Sequence, residues 1–468
     1  MDWIWVEGYW LSRLVFQRAL ALVYLMAFLS AANQFRALIG EHGLLPVPRY
    51  LARTSFRRSP SLFHLHYSDR FFAAVAWTGV AVSAALLAGI GDGLPLPAHI
   101  AVWALLWAMY LSIVHVGQVW YGFGWESLLC EVGFLAIFLG PADVAPPLLV
   151  LLALWWVLFR LEFGAGLIKL RGDRCWRDLT CLYYHHETQP MPNPLSRTFH
   201  HLPRWMHRVE VAANHVTQLV VPFLLFVPQP VRGAAAVVVI VTQGWLMLSG
   251  NFAWLNAVTI VIATTAVGDR LWGVVLPVSP PGELDRPGWF LVLTVLLAVA
   301  IVVLSYWPVR NLLSRGQLMN YSFNPLQLVN AYGAFGSITR IRHEIVVEGT
   351  ADPEPGPGSE WREYEFKGKP GDVHRRPRQV APYHLRLDWL MWFAALSPGY
   401  GQPWFPLLMS RLQAGDRTVL KLLRHNPFPD APPAHVRARL YRYRFTDRSE
   451  RRETGAWWHR TLVGDYPW

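Results

Sequence analysis

The chain has 468 residues, of which 53% are hydrophobic and 16% are charged, and its formal net charge is +11. The charged fraction falls well below the quarter or so of an ordinary soluble domain, so this composition predicts a polytopic membrane protein. Only four of the 42 basic residues are lysines, and no soluble basic segment interleaved with aromatic residues is present, which argues against nucleic acid as a partner.

The first two thirds of the chain contain apolar runs close to the roughly 20 residues that a helix needs to cross a bilayer. The predicted spans lie at 13–32, 71–91, 98–117, 125–140, 147–168, 211–228, 231–249, 252–268 and 288–307. The segment 125–140 is short and 211–228 is polar, so either is predicted to be tilted or partly re-entrant. We therefore expect an all-α membrane bundle of eight or nine spans.

Two long polar connections, 33–70 and 169–210, interrupt the predicted bundle. Proline and aromatic residues recur in both, so we expect them to be ordered parts of a transmembrane domain that covers 1–308. With nine spans, both connections and the C-terminal region would lie on the same side of the membrane.

After residue 308 the composition becomes that of a soluble domain. The stretches 340–350 and 360–369 alternate like strands and flank a turn-rich segment, which predicts a hairpin. Two short amphipathic helices and two further strand-like stretches follow. We expect a small α+β, β-rich domain over 309–468.

Several charged residues fall in or beside the fourth and fifth predicted spans, where each needs a partner. They are Glu126, Glu131, Arg160, Glu162 and Asp173. They are predicted to form a polar intramembrane cluster, with Glu131 opposite Arg160. A structural ion pair that locks two helices together is favoured over a binding or reacting site.

Lys169 is the only lysine before residue 367 and ends the fifth predicted span. It is either an interfacial anchor whose ammonium reaches water or a buried base. The small residues Gly164, Ala165 and Gly166 permit a close helix approach that would help to bury it.

Cys175 and Cys181 flank a short polar loop, and they are either a disulfide of an oxidising compartment or two unpaired thiols. The positive-inside rule would place the arginine-rich side in the cytoplasm, so orientation stays open at this point. The pairs His185-His186 and His200-His201 do not define a ligand geometry, and no cofactor fingerprint is present. The sequence therefore predicts neither a metal nor a cofactor.

The chain resembles the lipase maturation factor family over nearly its whole length. The resemblance is carried by the strings at 16–51, 121–139, 165–196, 330–350 and 426–446. It implies a multi-pass protein of the endoplasmic reticulum membrane that matures secreted lipases of the lipoprotein lipase type. It also implies a lumenal C-terminal domain that binds the client; in a bacterial relative the membrane would be the inner membrane and that side periplasmic.

A shorter resemblance links Ala165-Gly166-x-x-Lys169-Leu170 to a segment of vitamin K-dependent carboxylases. It implies that Lys169 is a base that deprotonates a quinol. The residues after Leu170 depart from that pattern, and His115 is out of register with the family's second catalytic residue.

Two hypotheses follow. The first is a chaperone-like maturation factor without enzyme activity, which holds a client lipase or another secreted protein through loops and aromatic side chains. The candidate aromatics, for which core packing is the favoured alternative, are Trp361, Trp389, Trp392, Trp457 and Trp458. The second is a carboxylase-like membrane enzyme that uses Lys169 on a lipidic quinone or a secreted peptide. The client and the oligomeric state are left open.

Overall fold

The structure is a computed structural model, and it describes residues 5–468. The first part of the chain, up to residue 313, is mainly helical. Its helices are α1 (Trp10–Leu38), α2 (Val47–Leu51), α3 (Asp69–Ala88), α4 (Leu96–Val116), α5 (Gly124–Ala136), α6 (Leu148–Arg171), α7 (Arg174–Arg177), α8 (Leu182–Thr188), α9 (Ser196–His200), α10 (Arg204–Leu219), α11 (Val221–Leu224), α12 (Val231–Ser249), α13 (Leu255–Thr264), α14 (Asp269–Trp272), α15 (Gly288–Leu304) and α16 (Tyr306–Leu313).

Six helices in the described part of the chain are long and apolar enough to cross a membrane. They are α1, α3, α4, α6, α12 and the continuous pair α15–α16. This finding agrees with the predicted multi-pass character of an integral membrane protein.

The predicted count of eight or nine spans is not confirmed. The segment 125–140 holds only the 13 residues of α5, and 252–268 holds only the 10 residues of α13. In 211–228 the helix is interrupted at Val220, and the next short helix begins at Val221 with Pro222 in its first turn. Most residues of α5 and α13 are buried within the protein, and a short apolar run is typical of such a core helix as well as of a membrane segment.

Contacts between distant residues group the helix ends into two sets. At one end, the backbone N–H of Trp10 donates to Asp269 at 2.7 Å, and Gln229 donates to the hydroxyl of Tyr9 at 3.0 Å. At the other end, the connections 33–70 and 169–210 meet the C-terminal region; Arg411, for instance, donates to the carbonyl of His42 at 2.9 Å. We call this second set the domain end of the bundle.

The C-terminal region is a small β-sheet domain with helices packed on it, as predicted. Its elements are β1 (Arg342–Thr350), β2 (Arg362–Glu363), β3 (Glu365–Phe366), α17 (Arg386–Leu396), α18 (Trp404–Gln413), α19 (Arg417–Leu420), β4 (Leu423–His425), β5 (His435–Phe445), α20 (Arg448–Thr454) and β6 (Trp458–Asp465). Four strands form an antiparallel sheet in the order β2-β1-β5-β6, and β3 pairs with β4.

The predicted hairpin of 340–350 with 360–369 is present only in a short form. Strand β1 pairs with β2 over two residues, whereas it pairs with β5 over nine, from Arg342–Tyr443 to Thr350–His435. After Glu363 the returning stretch leaves β1, and its residues Glu365 and Phe366 pair with β4 instead.

The residues between α16 and β1 do not join the sheet but follow the membrane helices. A Cβ at Gly164 of α6 would lie 2.3 Å from the carbonyl oxygen of Tyr332, and one at Gly172 would lie 2.2 Å from that of Gly336. Only glycine permits so close an approach of two backbones. The predicted boundary at 308/309 thus stays a prediction, since 314–341 packs on the transmembrane half.

Candidate functional site

Lys169 is buried at the end of α6 and does not reach toward water. Its side chain is 5% exposed, and its Nζ donates to Oε1 of Gln218 at 2.8 Å and to Oδ1 of Asn214 at 3.5 Å. The ammonium also lies 4.9 Å from the ring centroid of Trp176. Helix α10 supplies both amides. It can pack this closely on α6 because residue 166 is glycine; a Cβ there would lie 3.0 Å from the Cβ of Gln218.

Glu162 lies two turns earlier on α6 and is held by amides. It accepts from Nε2 of Gln243 at 2.6 Å and from Nε2 of Gln218 at 3.2 Å, and Asn256 in turn donates to Gln243 at 2.6 Å. Gln218 therefore connects Glu162 to Lys169. This layer joins four helices, α6, α10, α12 and α13, through buried hydrogen bonds.

Glu131 of α5 forms an ion pair with Arg160 of α6, and both side chains are at most 3% exposed. The pair is completed by 314–341, because the carboxylate also accepts from Asn330 at 2.9 Å and from the Tyr332 hydroxyl at 2.7 Å. An apolar cavity of about 280 Å³ between α5, α6 and α15 borders Glu131 and Arg160, and its lining does not include Lys169.

Glu126 belongs to a different site, at the junction of the bundle with the C-terminal domain. Its carboxylate accepts from Nη1 of Arg386 at 2.7 Å and from the hydroxyl of Tyr110. Arg386 is the first residue of α17, it also donates to the carbonyl of Trp120 at 2.7 Å, and both charged side chains are fully buried. This pair fixes the C-terminal domain to the bundle.

His384 lies beside this junction with its Nδ1 3.7 Å from Oε1 of Glu126, and neither ring nitrogen has a hydrogen-bond partner among the described residues. Its ring is fully buried, with the rings of Trp125, Trp254 and Trp389 around it at centroid distances of 5.3 to 5.9 Å. Burial, together with the nearby Arg386 guanidinium, lowers the pKa of His384 to about 4. The imidazole is therefore neutral at physiological pH.

Asp173 begins the polar segment after α6 and lies at the protein surface. It caps α7 by accepting from the N–H of Cys175 at 3.0 Å, and it forms an ion pair with Arg340 at 2.8 Å. Partial burial acts to raise its pKa, but the hydrogen bonds from Arg340 and from two backbone N–H groups lower the pKa of Asp173 below its ordinary value. The sulfur atoms of Cys175 and Cys181 are joined, with their Cα atoms 4.8 Å apart.

The five acidic and basic residues that the sequence suggested as one cluster are thus divided among four sites. Only Glu131 and Arg160 contact each other directly; Glu126, Glu162 and Asp173 each have other partners. The prediction of a single intramembrane cluster is wrong because Arg386 and Arg340 pair with Glu126 and Asp173, while amides of α10 and α12 hold Glu162. Neither Arg340 nor Arg386 carries a local signal in the sequence that links it to the helices.

The segment 182–210 also brings histidines together. Imidazole nitrogens of His186 on α8 and His207 on α10, and a carboxylate oxygen of Glu210, all lie within 4.8 Å of one another. The signal in the sequence was the spacing His207-x-x-Glu210, which puts both side chains on one face of a helix. The adjacent pairs His185-His186 and His200-His201 have no such helical spacing.

This segment is also tied to the sheet. Arg342 of β1, 1% exposed, donates to the carbonyls of Glu187 and Pro190 at 2.9 and 3.1 Å, and its guanidinium pairs with Glu344 at 2.5 Å. The segment after α6 is consequently clamped between α10 on one side and the C-terminal sheet on the other.

Comparison with known proteins matches both halves. Residues 11–274 match the model of the lipase maturation factor transmembrane domain, and 328–467 match that of the lipase maturation factor C-terminal domain. The chain belongs to the lipase maturation factor family. The chain is 41% identical to lipase maturation factor 1 of Mus musculus and 42% identical to that of Homo sapiens, over 98% of the chain and 87% of each relative.

A second group of family members is more distant. Lipase maturation factor 2 of Homo sapiens is 30% identical over 98% of the chain and 83% of its own length. No solved structure matches the chain. The predicted family is therefore confirmed.

Proposed function

We propose that this protein is a membrane-anchored maturation factor for secreted lipases. The observation that carries the proposal is the similarity to proteins named lipase maturation factor 1, which extends over 98% of the chain and includes both the bundle and the C-terminal domain. The buried junction at Glu126 and Arg386 supports it physically. It would hold the sheet domain in a fixed position over the bundle, as a platform for a client requires.

The client contacts proposed here differ from the tryptophans that the sequence suggested. Trp389 and Trp458 are buried at 3% and 2% exposure and therefore belong to the core. Large apolar side chains that are more than half exposed at the domain end include Phe56, Leu65 and Tyr400. A partly folded lipase exposes apolar segments, for which such side chains are suitable contacts.

We further propose that the domain end faces the lumen of the endoplasmic reticulum. The joined sulfurs of Cys175 and Cys181 support an oxidising compartment. The arginine-rich composition of this side is a weak objection, because large domains cross the membrane largely regardless of charge. Several of these arginines are also held in buried ion pairs, Arg342 and Arg386 among them.

The carboxylase-like alternative requires Lys169 to be a base at a substrate site. Burial of Lys169 favours it, but the contacts of the ammonium do not. Nζ faces two amide oxygens and an aromatic ring, all of which stabilise the protonated ammonium. Lys169 also does not line the apolar cavity beside Arg160. We therefore assign Lys169 a structural role.

The test is complementation of cells that lack the protein and express a secreted lipase. Specific activity of the secreted lipase is measured with wild type, Lys169→Met and Arg386→Met, with Arg362→Met as a control at an exposed ion pair. We expect wild type, Lys169→Met and Arg362→Met to restore activity and Arg386→Met to fail. Normal lipase activity in cells without the protein would refute the maturation role, and selective failure of a normally folded Lys169→Met would favour the enzyme.

A further inference from the structure

The histidine cluster between α8 and α10 has the composition of a metal site. Two imidazoles and one carboxylate converge from two elements, with one ligand atom of each within 4.8 Å of the others. His186 is 3% exposed and His207 is 1% exposed, so both imidazoles are shielded from water.

His186 is the observation that points to a ligand. Neither of its ring nitrogens has a hydrogen-bond partner within residues 5–468, although the side chain is buried. A neutral imidazole carries one donor and one acceptor, and leaving both unpaired in the interior is costly. A cation bound to one nitrogen would satisfy the lone pair that the protein leaves free.

The surroundings of His207 and Glu210 also suit a cation. Nε2 of His207 lies 3.4 Å from the carbonyl oxygen of His200, to which it donates when the ring proton is on Nε2. In that tautomer Nδ1 presents its lone pair toward Oε2 of Glu210, 3.3 Å away. Two facing lone pairs repel each other unless a proton or a metal ion lies with them.

Glu210 is held in place by a hydrogen bond from α12. Its second oxygen, Oε1, accepts from the indole N–H of Trp245 on α12 at 2.7 Å, which turns Oε2 toward the histidines. Metal ligands typically have such outer partners, and both His207 and Glu210 have one here.

We propose that His186, His207 and Glu210 bind a Zn²⁺ ion that clamps the segment after α6 to α10. Imidazole and carboxylate are ligands that Zn²⁺ accepts, whereas Ca²⁺ and Mg²⁺ prefer oxygen ligands alone. Three protein ligands leave a fourth position, which water can occupy. The site lies in the segment that the proposed client would face, but the inference does not depend on lipase maturation.

The test is metal binding by the full-length protein in detergent. After removal of metal with a chelator, Zn²⁺ is titrated by calorimetry and Co²⁺ by its visible absorption, with wild type, His186→Asn, His207→Asn and the control His201→Asn. His201 is an exposed neighbour outside the cluster. We expect one ion per chain in wild type and His201→Asn, and an affinity at least about 100-fold weaker in the other two, since even outer-shell losses cost 10- to 100-fold.

A second pair of variants tests the geometry without removing a ligand. Trp245→Phe deletes the hydrogen bond to Glu210 and should weaken Zn²⁺ about tenfold, whereas Trp205→Phe, at a tryptophan that is 65% exposed, should not. Zn²⁺ should also raise the melting temperature of stripped wild type and not that of a folded His186→Asn. Wild type that binds Zn²⁺ no more tightly than His186→Asn and His207→Asn would overturn the proposal.

Discussion

The ion pair between Glu126 and Arg386 gives the largest single effect that we expect from a side-chain change. In Arg386→Met the Glu126 carboxylate keeps its bond from Tyr110 but loses its ion pair while it stays fully buried, and the nearby imidazole of His384 is neutral. Breaking a buried pair by removing one partner costs about 3–5 kcal/mol, because it leaves a charge without compensation. The methionine also removes a donor from the carbonyl of Trp120.

This cost should appear as detachment of the C-terminal domain from the bundle. A loss of about 3–5 kcal/mol corresponds to a population of the detached form that is roughly 100-fold to several 1,000-fold larger. Native-state proteolysis in detergent measures that population when opening is fast relative to cleavage. We expect the rate of cleavage next to the domain to rise by this factor in Arg386→Met.

The double variant Glu126→Gln with Arg386→Met distinguishes charge from packing. It removes the unpaired carboxylate and should recover most of the lost protection, because a neutral pair costs far less than an isolated charge. Arg362→Met, at an exposed pair with Glu360, should leave the rate unchanged. If Arg386→Met cleaves no faster than Arg362→Met, the assignment of this pair as the junction between the two halves is refuted.

Three further perturbations follow from the structure. The unfolded chain takes up a proton at His384 below about pH 6.5, whereas the folded chain does so only near pH 4. The free energy of unfolding, measured by thermal unfolding at each pH, should therefore fall by about 3 kcal/mol between those two values. The fall should be smaller in His384→Asn. Alkylation under denaturing conditions without reductant should leave Cys175 and Cys181 unlabelled, and replacing both by serine should cost about 2 kcal/mol for so short a loop. Gly164→Ala should lower the melting temperature, because its Cβ meets a backbone oxygen at 2.3 Å, whereas Gly244→Ala, with no atom within 4 Å, should not.

The class of the protein could be predicted from the sequence, because apolar composition and the length of the apolar runs indicate directly whether a segment is surrounded by lipid or by water. The count of spans could not. Helix α13 and a true span have the same hydropathy signal, and what separates them is whether a lipid or a neighbouring helix covers the surface. That covering is a property of the packed bundle, in which seven of the ten residues of α13 are buried.

The same limit applies to the charged residues. A pairing of Glu131 with Arg160 could be inferred, because two buried charges of opposite sign occur on helices that follow each other in the chain. The partner of Glu126 lies 260 residues away, and nothing in the spacing of the sequence indicates Arg386. A local signal did exist for His207 and Glu210, whose separation of three residues places them together once α10 is recognised as a helix that starts before residue 207.

Lys169 and Arg386 are both buried cations, but they differ in the groups that they contact, and neither needs to be reactive. Arg386 is balanced by a carboxylate in direct contact, so its loss leaves a charge behind. Lys169 directly contacts neutral groups, and after its loss Gln218 still accepts from Asn214 at 3.1 Å and donates to Glu162 at 3.2 Å. The ammonium completes a hydrogen-bond layer that includes Gln218 of α10, the helix that also carries His207 and Glu210. Lys169 and the proposed zinc ion therefore hold two points of one rigid element, and through it the segment that follows α6.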